Sequence, residues 1–386
     1  MKKLMYLDNA STTYPKPESV YQAMEEAGRN FAVNAGRGSY SLARKASQLI
    51  DDTREKMCNF VHGESIAEVI FTPSATIACN QVLGGLEWKK EDIVYVTPFE
   101  HNAIMRVLYH LQKEYKFEIA ELAILSENLE LDKAKIQFQF LRKPPSVLVI
   151  NQVSNVSGYI IPWQEITQMA EQYHPIVILD GSQALGLVPI ALKNTMVDFY
   201  IFAGHKTLYG PLGIGGFINN HGRKLKKILF GGTGSDSLNL TMSSEDVKGY
   251  EPGSMNITAI VGLLAALVET MKLPIEENLQ MEQKMRNFLI EKLKEIPEVV
   301  LYPPLKQEAT GILSFNVEGY QAYEVGKILD EEYQIAVRTG YHCAPLIHKY
   351  LQNKTYGGTV RVSIGRFNTI EELYSLVKAI QELAVG

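Results

Sequence analysis

Lys206 stands directly after the apolar run "DFYIFA" and opens a glycine-rich stretch, "GHKTLYGPLGIGG". A lysine at the end of a buried strand is desolvated. It can then lose its proton and form a Schiff base with a carbonyl compound, although a surface lysine in a turn has the same local sequence. Asp180 ends a second apolar run in "IVILDGSQALG", where an acid serves either as a turn former or as the partner of a cation. A lysine for a Schiff base and an aspartate for a pyridinium nitrogen, on neighbouring strand ends, are the minimal protein contribution to pyridoxal phosphate chemistry. Ser74 and Thr76 in "TPSATIACN" follow a third strand and open a helix. Free N–H groups and hydroxyls there can hold a phosphate, and simple N-capping explains them equally well. His101 in "PFEHNAI" stands at a fourth strand end, where a ring can stack on a cofactor or move protons. Asn155 lies in "NQVSNVSG", and Arg361 lies on the apolar strand "TVRVSIG". An arginine among apolar neighbours requires an anion, either a structural carboxylate or that of a substrate.

Cys343 lies in "RTGYHCAP", and three roles are open to it: packing, metal binding and nucleophilic attack. Cys58 and Cys79 sit within apolar helical patterns and read as packing. "HCAPLIH" offers His342, Cys343 and His348 to a metal but no fourth ligand at a usual spacing, so no metal is expected. If Cys343 is a nucleophile, its thiolate is the reactive form, and His342 and Arg338 are the nearby groups able to favour it.

The elements that position these residues are legible as hydrophobic periodicity. From about residue 68 to 220, "EVIFT", "DIVYVTP", "FEIAEL", "SVLVINQVSN", "IVILDGS", "DFYIFAGH" and "GGFINN" alternate with helix-length segments. That is the pattern of βα units feeding a mainly parallel sheet, whose ligands bind beyond the carboxyl ends of the strands. Residues 231–256 are rich in glycine and serine and read as an irregular connection. Two long amphipathic helices follow, then "VVLYPP", "GILSFNV", a helix near 321–331, "TVRVSIG" and a last helix from about 369. The expected division is a large α/β domain over 16–255 and a smaller α+β domain over 256–386, the latter joined by residues 1–15.

With 386 residues, 46% of them hydrophobic, the chain can bury more than one core. A net charge of −5 and scattered basic residues give no pull toward nucleic acid or an anionic membrane. The N-terminus reaches Asp8 before any apolar stretch of signal-peptide length, and no window approaches a membrane span. Three widely spaced cysteines form neither a disulfide framework nor a CxxC pair. A cytoplasmic location is expected. No G-x-G-x-x-G opens a helix and no Walker A sequence occurs, which removes the nicotinamide and nucleotide readings.

In order along the chain, "LDGSQALG", "GHKTLYGPLGIGG", "EPGSMN" and "RTGYHCAP" resemble the class V aminotransferase superfamily of fold type I pyridoxal phosphate enzymes. "RTGYHCAP" and "TVRVSIGRFNT" are similar to its cysteine desulfurase and selenocysteine lyase group, in which the nucleophile's loop is short. The resemblance implies a large, mainly parallel α/β domain with a smaller C-terminal α+β domain, and pyridoxal 5′-phosphate as cofactor. It matches Lys206 to the lysine that carries the cofactor and moves the Cα proton. Asp180 matches the partner of the pyridine nitrogen, His101 the stacked ring and Gln183 the contact to the phenolic oxygen. Thr76 and His205 match phosphate ligands, with Ala75 beside them, and Asn155 and Arg361 match the substrate-carboxylate site. Ser254 matches a hydroxyl that reaches the neighbouring subunit's phosphate, implying a homodimer. Ala203 departs from a serine found in many relatives, and Ala75 lacks a hydroxyl found in some. The implied activity converts L-cysteine to L-alanine, leaves a persulfide on Cys343 and passes the sulfur to an acceptor protein. Selenocysteine cleavage, another class V reaction, a β-elimination and a non-catalytic binding protein on the same fold are the alternatives.

Overall fold

The computed structural model describes residues 4–35, 38–234, 238–242, 247–272, 274–304 and 308–385. In chain order the elements are β1 (Met5–Tyr6), α1 (Glu18–Asn30), α2 (Ser41–Phe60), β2 (Glu68–Thr72), α3 (Ala75–Gly85), β3 (Ile93–Val96), α4 (Asn102–Tyr115) and β4 (Glu118–Glu121). Next come α5 (Lys133–Arg142), β5 (Val147–Asn151), α6 (Trp163–Ala170), β6 (Ile176–Asp180), β7 (Val197–Ala203), β8 (Gly215–Asn219), α7 (Ile257–Thr270) and α8 (Ile275–Lys294). The remainder are β9 (Val299–Leu301), β10 (Ile312–Val317), α9 (Ala322–Tyr333), β11 (Ile335–Ala336), β12 (Arg338–Gly340), α10 (His348–Leu351), β13 (Thr359–Ser363) and α11 (Ile370–Val385).

The seven apolar runs read between residues 68 and 220 are the seven strands of one sheet, in the order β2-β8-β7-β6-β5-β3-β4. Strands β3 to β7 pair in parallel, and β8 runs antiparallel to both of its neighbours. The reversal follows from chain length, because residues 204–214 are too few for a helical crossover. Every residue of β5, β7 and β8 is buried, as a sheet covered by helices on both faces requires. One face packs on α2, α5, α6 and α7, the other on α3 and α4.

A four-stranded antiparallel sheet, β12-β13-β10-β9, forms a second core with α8, α9 and α11. Full burial of Leu313 or Phe315 there contributes roughly 1.5–3 kcal/mol each. The N-terminal segment is part of this unit, since β1 pairs with β11 and Leu7 lies in its core. The expected division at 255/256 requires one correction. Ile257, Ile260, Leu263 and Leu267 of α7 pack into the core of the large sheet, with α1 and α2 against the same helix. The second core draws its helices from α8 onward. Among the described residues no single helix is long and apolar enough to cross a membrane.

Candidate active site

The carboxyl ends of β5, β6 and β7 open onto a cavity of about 200 Å³. Its wall brings together Ala75, Thr76, His101, Asn155, Asp180, Gln183, Ala203, His205, Lys206, Cys343 and Arg361, which come from both units. Ser74, Cys79, Ser11 and Arg338 also border it.

Asp180, the last residue of β6, is 4% exposed, and its Oδ1 accepts a hydrogen bond from Ser182 N at 2.9 Å. Lys206 follows β7 after the turn at Gly204, and its backbone carbonyl accepts from Thr13 Oγ1 at 3.0 Å. Its pKa falls to about 8, first because burial disfavours the ammonium. Arg361 and Arg338 lower it further, and Asp180 opposes the fall. At pH 8 about half of such amines are neutral, against roughly one in three hundred for an ordinary lysine. In cofactor-free protein, borohydride trapping of an aldehyde on Lys206 is therefore expected to rise with pH and level off above about 8. A yield still climbing toward pH 10.5 would show an unperturbed lysine.

His101 caps α4, and its Nδ1 accepts from Ala103 N at 3.0 Å. That bond fixes the neutral tautomer with its proton on Nε2. Burial and then the Lys206 charge push the imidazole's pKa down to about 4, so the ring is uncharged at neutral pH. His205 is also pushed to about 4, mainly by burial. Its carbonyl accepts from Thr12 Oγ1 at 3.0 Å and Lys16 Nζ at 2.7 Å, which clamps the backbone between β7 and Lys206. Gln183 Nε2 donates to Ala10 O at 2.7 Å. Ser74 has the capping role that was its alternative, its Oγ accepting from Ile77 N at 3.4 Å. Thr76 and Ala75 then lie in the first turn of α3, where backbone N–H groups are free. Gly215 permits this approach, since a Cβ on it would lie 2.8 Å from Ala75 N.

Cys343 lies at the tip of a tight turn. Ala344 N donates to Tyr341 O at 3.0 Å, and both central residues, His342 (φ 47°) and Cys343 (φ 58°), are left-handed. This is the backbone of a type I′ turn, which favours Asn-Gly. Left-handed backbone at two non-glycine residues costs roughly 1–2 kcal/mol each. Hydrogen bonds hold the turn in place: Asn102 N donates to Cys343 O at 2.7 Å, and Asn155 Nδ2 donates to His342 O at 2.6 Å. The approach of β12 to β13 below the turn requires glycine at 358, where φ is 113° and a Cβ would lie 2.3 Å from the Gly340 carbonyl carbon. Arg338–Gly340 is a strand, and the residues beyond it form the loop that carries Cys343.

Of the two groups expected to act on the thiol, the structure favours Arg338. Its NH2 lies 3.5 Å from Cys343 Sγ. His342 turns inward with Nε2 2.7 Å from Thr359 Oγ1, and burial, then Arg361, hold its pKa well below the ordinary value. Cys58 and Cys79 are raised by burial, away from the reactive form. Among the described residues no group of three His, Cys, Asp or Glu side chains could hold a metal.

Arg361 is fully buried and has a structural carboxylate: its NH2 donates to Asp8 Oδ1 at 2.6 Å. Asn155 is held as well, its side-chain Nδ2 by the Cys343 turn and its backbone carbonyl by Arg361 NH1, which donates to it at 2.8 Å. Ser254 lies outside this cavity on an exposed segment, where Asn34 Nδ2 donates to it at 3.3 Å. The rest of "EPGSMN" has structural work. Glu251 is buried against Arg54 and accepts from Phe71 N at 2.7 Å, and Asn256 caps α7 through Ala259 N at 3.1 Å. A cap of this kind contributes about 1 kcal/mol.

Sequence reasoning treated Cys79 as packing, and it is fully buried in the core of α3 and α4 while also bordering the cavity one helical turn beyond Thr76. It also gave no role to buried Glu100. That carboxyl accepts from Thr97 Oγ1 at 2.6 Å and Asn151 N at 2.7 Å, and burial raises its pKa to about 8. It ties the ends of β3 and β5 together beside His101.

The sequence pattern of the family Aminotransferase class-V matches residues 5–376. The chain belongs to that family. A probable cysteine desulfurase of Methanothermobacter thermautotrophicus is 32% identical over 384 residues, which is 98% of this chain and 94% of that protein. A cysteine desulfurase of Klebsiella pneumoniae is 31% identical, covering 98% of this chain and 93% of that one. The apo structure of a cysteine desulfurase from Thermococcus onnurineus superposes with a TM-score of 0.89 at 28% identity, over 99% of this chain and 95% of that one. The large, mainly parallel sheet with its smaller α+β unit is thus the fold type I arrangement of this class V family.

Proposed function

We propose that this class V protein is a cysteine desulfurase that uses pyridoxal 5′-phosphate and Cys343 to convert L-cysteine to L-alanine. The observation that carries the reading is the position of Cys343, displayed at a turn tip into the same cavity as Lys206 and Asp180. The cavity fits the cofactor on its own terms. His205 Nδ1 and Asn155 Oδ1 are buried at its wall with no partner among the described residues, and such atoms normally have one. Lys206, Asp180, His101 and Gln183 would hold the ring, with His205, Thr76 and the Ala75 backbone at the phosphate. When bound, the cofactor supplies an electron sink for the substrate's Cα.

Lys206, with its lowered pKa, takes and returns the Cα proton. Arg361 and Arg338 present positive charge to the carboxylate side of the cavity. The Cys343 thiolate attacks the substrate sulfur, so that an S–S bond forms as the Cβ–S bond breaks. The electron pair stays with carbon, Cβ takes up the proton that the Cys343 thiol gave up, and Lys206 returns the Cα proton to give alanine. The balance is enzyme thiol plus cysteine to enzyme persulfide plus alanine. Cys343 also borders an outer groove of about 840 Å³ with Tyr341, Lys349 and Gln352. An acceptor protein would take the sulfur from that side.

The reading includes a homodimer in which Ser254 of a second copy completes the phosphate site. Support comes from Leu212, Phe230, Leu238 and Leu240, large apolar side chains left exposed within residues 212–240, since apolar surface in water favours association. A stable, fully active monomer in solution scattering would remove it. A cytoplasmic location accords with a nucleophile that must remain a free thiol. The whole reading is tested by products from L-cysteine: alanine supports it, and pyruvate with ammonia supports β-elimination instead.

A further inference from the structure

The β12–β13 register sets Arg338 directly opposite Arg361, and like charges in that position repel. The N-terminal turn at residues 8–11 holds them together. Asp8 Oδ1 accepts from Arg361 NH2 at 2.6 Å and from Ser11 Oγ at 2.9 Å. Ser11 Oγ accepts from Arg361 NH2 at 3.0 Å and from Arg338 NH1 at 2.8 Å. One internal carboxylate and one hydroxyl thus link the two guanidinium groups, and the second guanidinium touches Cys343 Sγ. Ser11 and both arginines border the main cavity, while Asp8 is not part of its wall.

Arg338 and Arg361 give this cavity two guanidinium groups besides Lys206, whose proton the reaction moves. Both substrate and product of the proposed reaction carry the same carboxylate. Charge that grips it equally in the two states lowers KM without speeding turnover, and it holds alanine in the site.

Building on the desulfurase reading, we propose that Asp8 is a positioning residue that weakens the carboxylate grip of Arg361 while keeping that arginine in register with Arg338. Asp8 offsets one positive charge through Arg361 and touches neither substrate nor cofactor.

The test is Asp8→Asn in the holoenzyme, which retains an acceptor for Arg361 and Ser11 but removes the charge. KM for L-cysteine and the Kd for L-alanine by titration calorimetry are both expected to fall about ten-fold, with no rise in kcat. Asp8→Glu, which restores the charge, is expected to return both constants to within about two-fold of the parent. Asp8→Ser, a smaller neutral acceptor, has the same expectation as Asp8→Asn and replaces it should that variant fail to fold. A merely structural Asp8 would lower the melting temperature and leave both constants unchanged or raised, and that result overturns the inference. Failure of the parent enzyme to release alanine from L-cysteine would instead overturn the desulfurase reading.

Discussion

Cys343→Ser is expected to stop alanine release from L-cysteine, a loss on the order of a thousand-fold or more, while cofactor binding stays intact. The substitution keeps the size of the side chain, and the turn does not depend on the sulfur. Its bonds run through Tyr341 O, Cys343 O and His342 O. What is lost is the nucleophile, because a serine hydroxyl at neutral pH is a poor attacker of sulfur. Selenocysteine cleavage is expected to persist in this variant, since selenium leaves more readily and need not be attacked. Steady-state alanine measurements with the two substrates check both halves. Unchanged alanine production from cysteine would leave Cys343 as a packing residue.

Lys206→Ala is expected to abolish turnover of both substrates, by about four orders of magnitude or more, because it removes the group that takes and returns the Cα proton. The effect differs in kind from that of the Cys343 variant, which spares the selenium substrate. Borohydride reduction of the parent protein is expected to fix a phosphopyridoxyl group on Lys206, and the variant should take none there. A label on another lysine, or a variant retaining a tenth of the parent rate, would remove Lys206 from its role.

The large sheet was legible because its strands are buried on both faces. Runs such as "VLVIN" and "VDFYIFA" therefore stay apolar without interruption, and their ends mark the positions of Asp180, Lys206 and His101. Helices α1 and α2 were not read. They present small or widely spaced buried residues, such as Val20, Ala27, Ala43 and Ala46, within strongly polar segments. Their partner is α7, a helix apolar enough to suggest the core of the following domain but in fact seated on the first. The wall of the cavity was largely readable from strand ends. The anion paired with Arg361 was not, because Asp8 comes from the far end of the chain and meets it through the pairing of β1 with β11 and its own bridge to Ser363 of β13. The choice between His342 and Arg338 at the thiol likewise depended on the hand of a turn. With both central residues left-handed, the histidine ring points to Thr359 and the sulfur remains beside the arginine.

The central claim, that Cys343 receives the sulfur, is tested most directly by a single-turnover reaction with L-cysteine. The reaction is stopped under non-reducing conditions, and alanine is quantified alongside the masses of the peptides containing Cys58, Cys79 and Cys343. One alanine per active site, with one added sulfur atom on the Cys343 peptide alone, is the predicted result. Alanine without sulfur on that peptide, or sulfur carried by Cys79 instead, would contradict it.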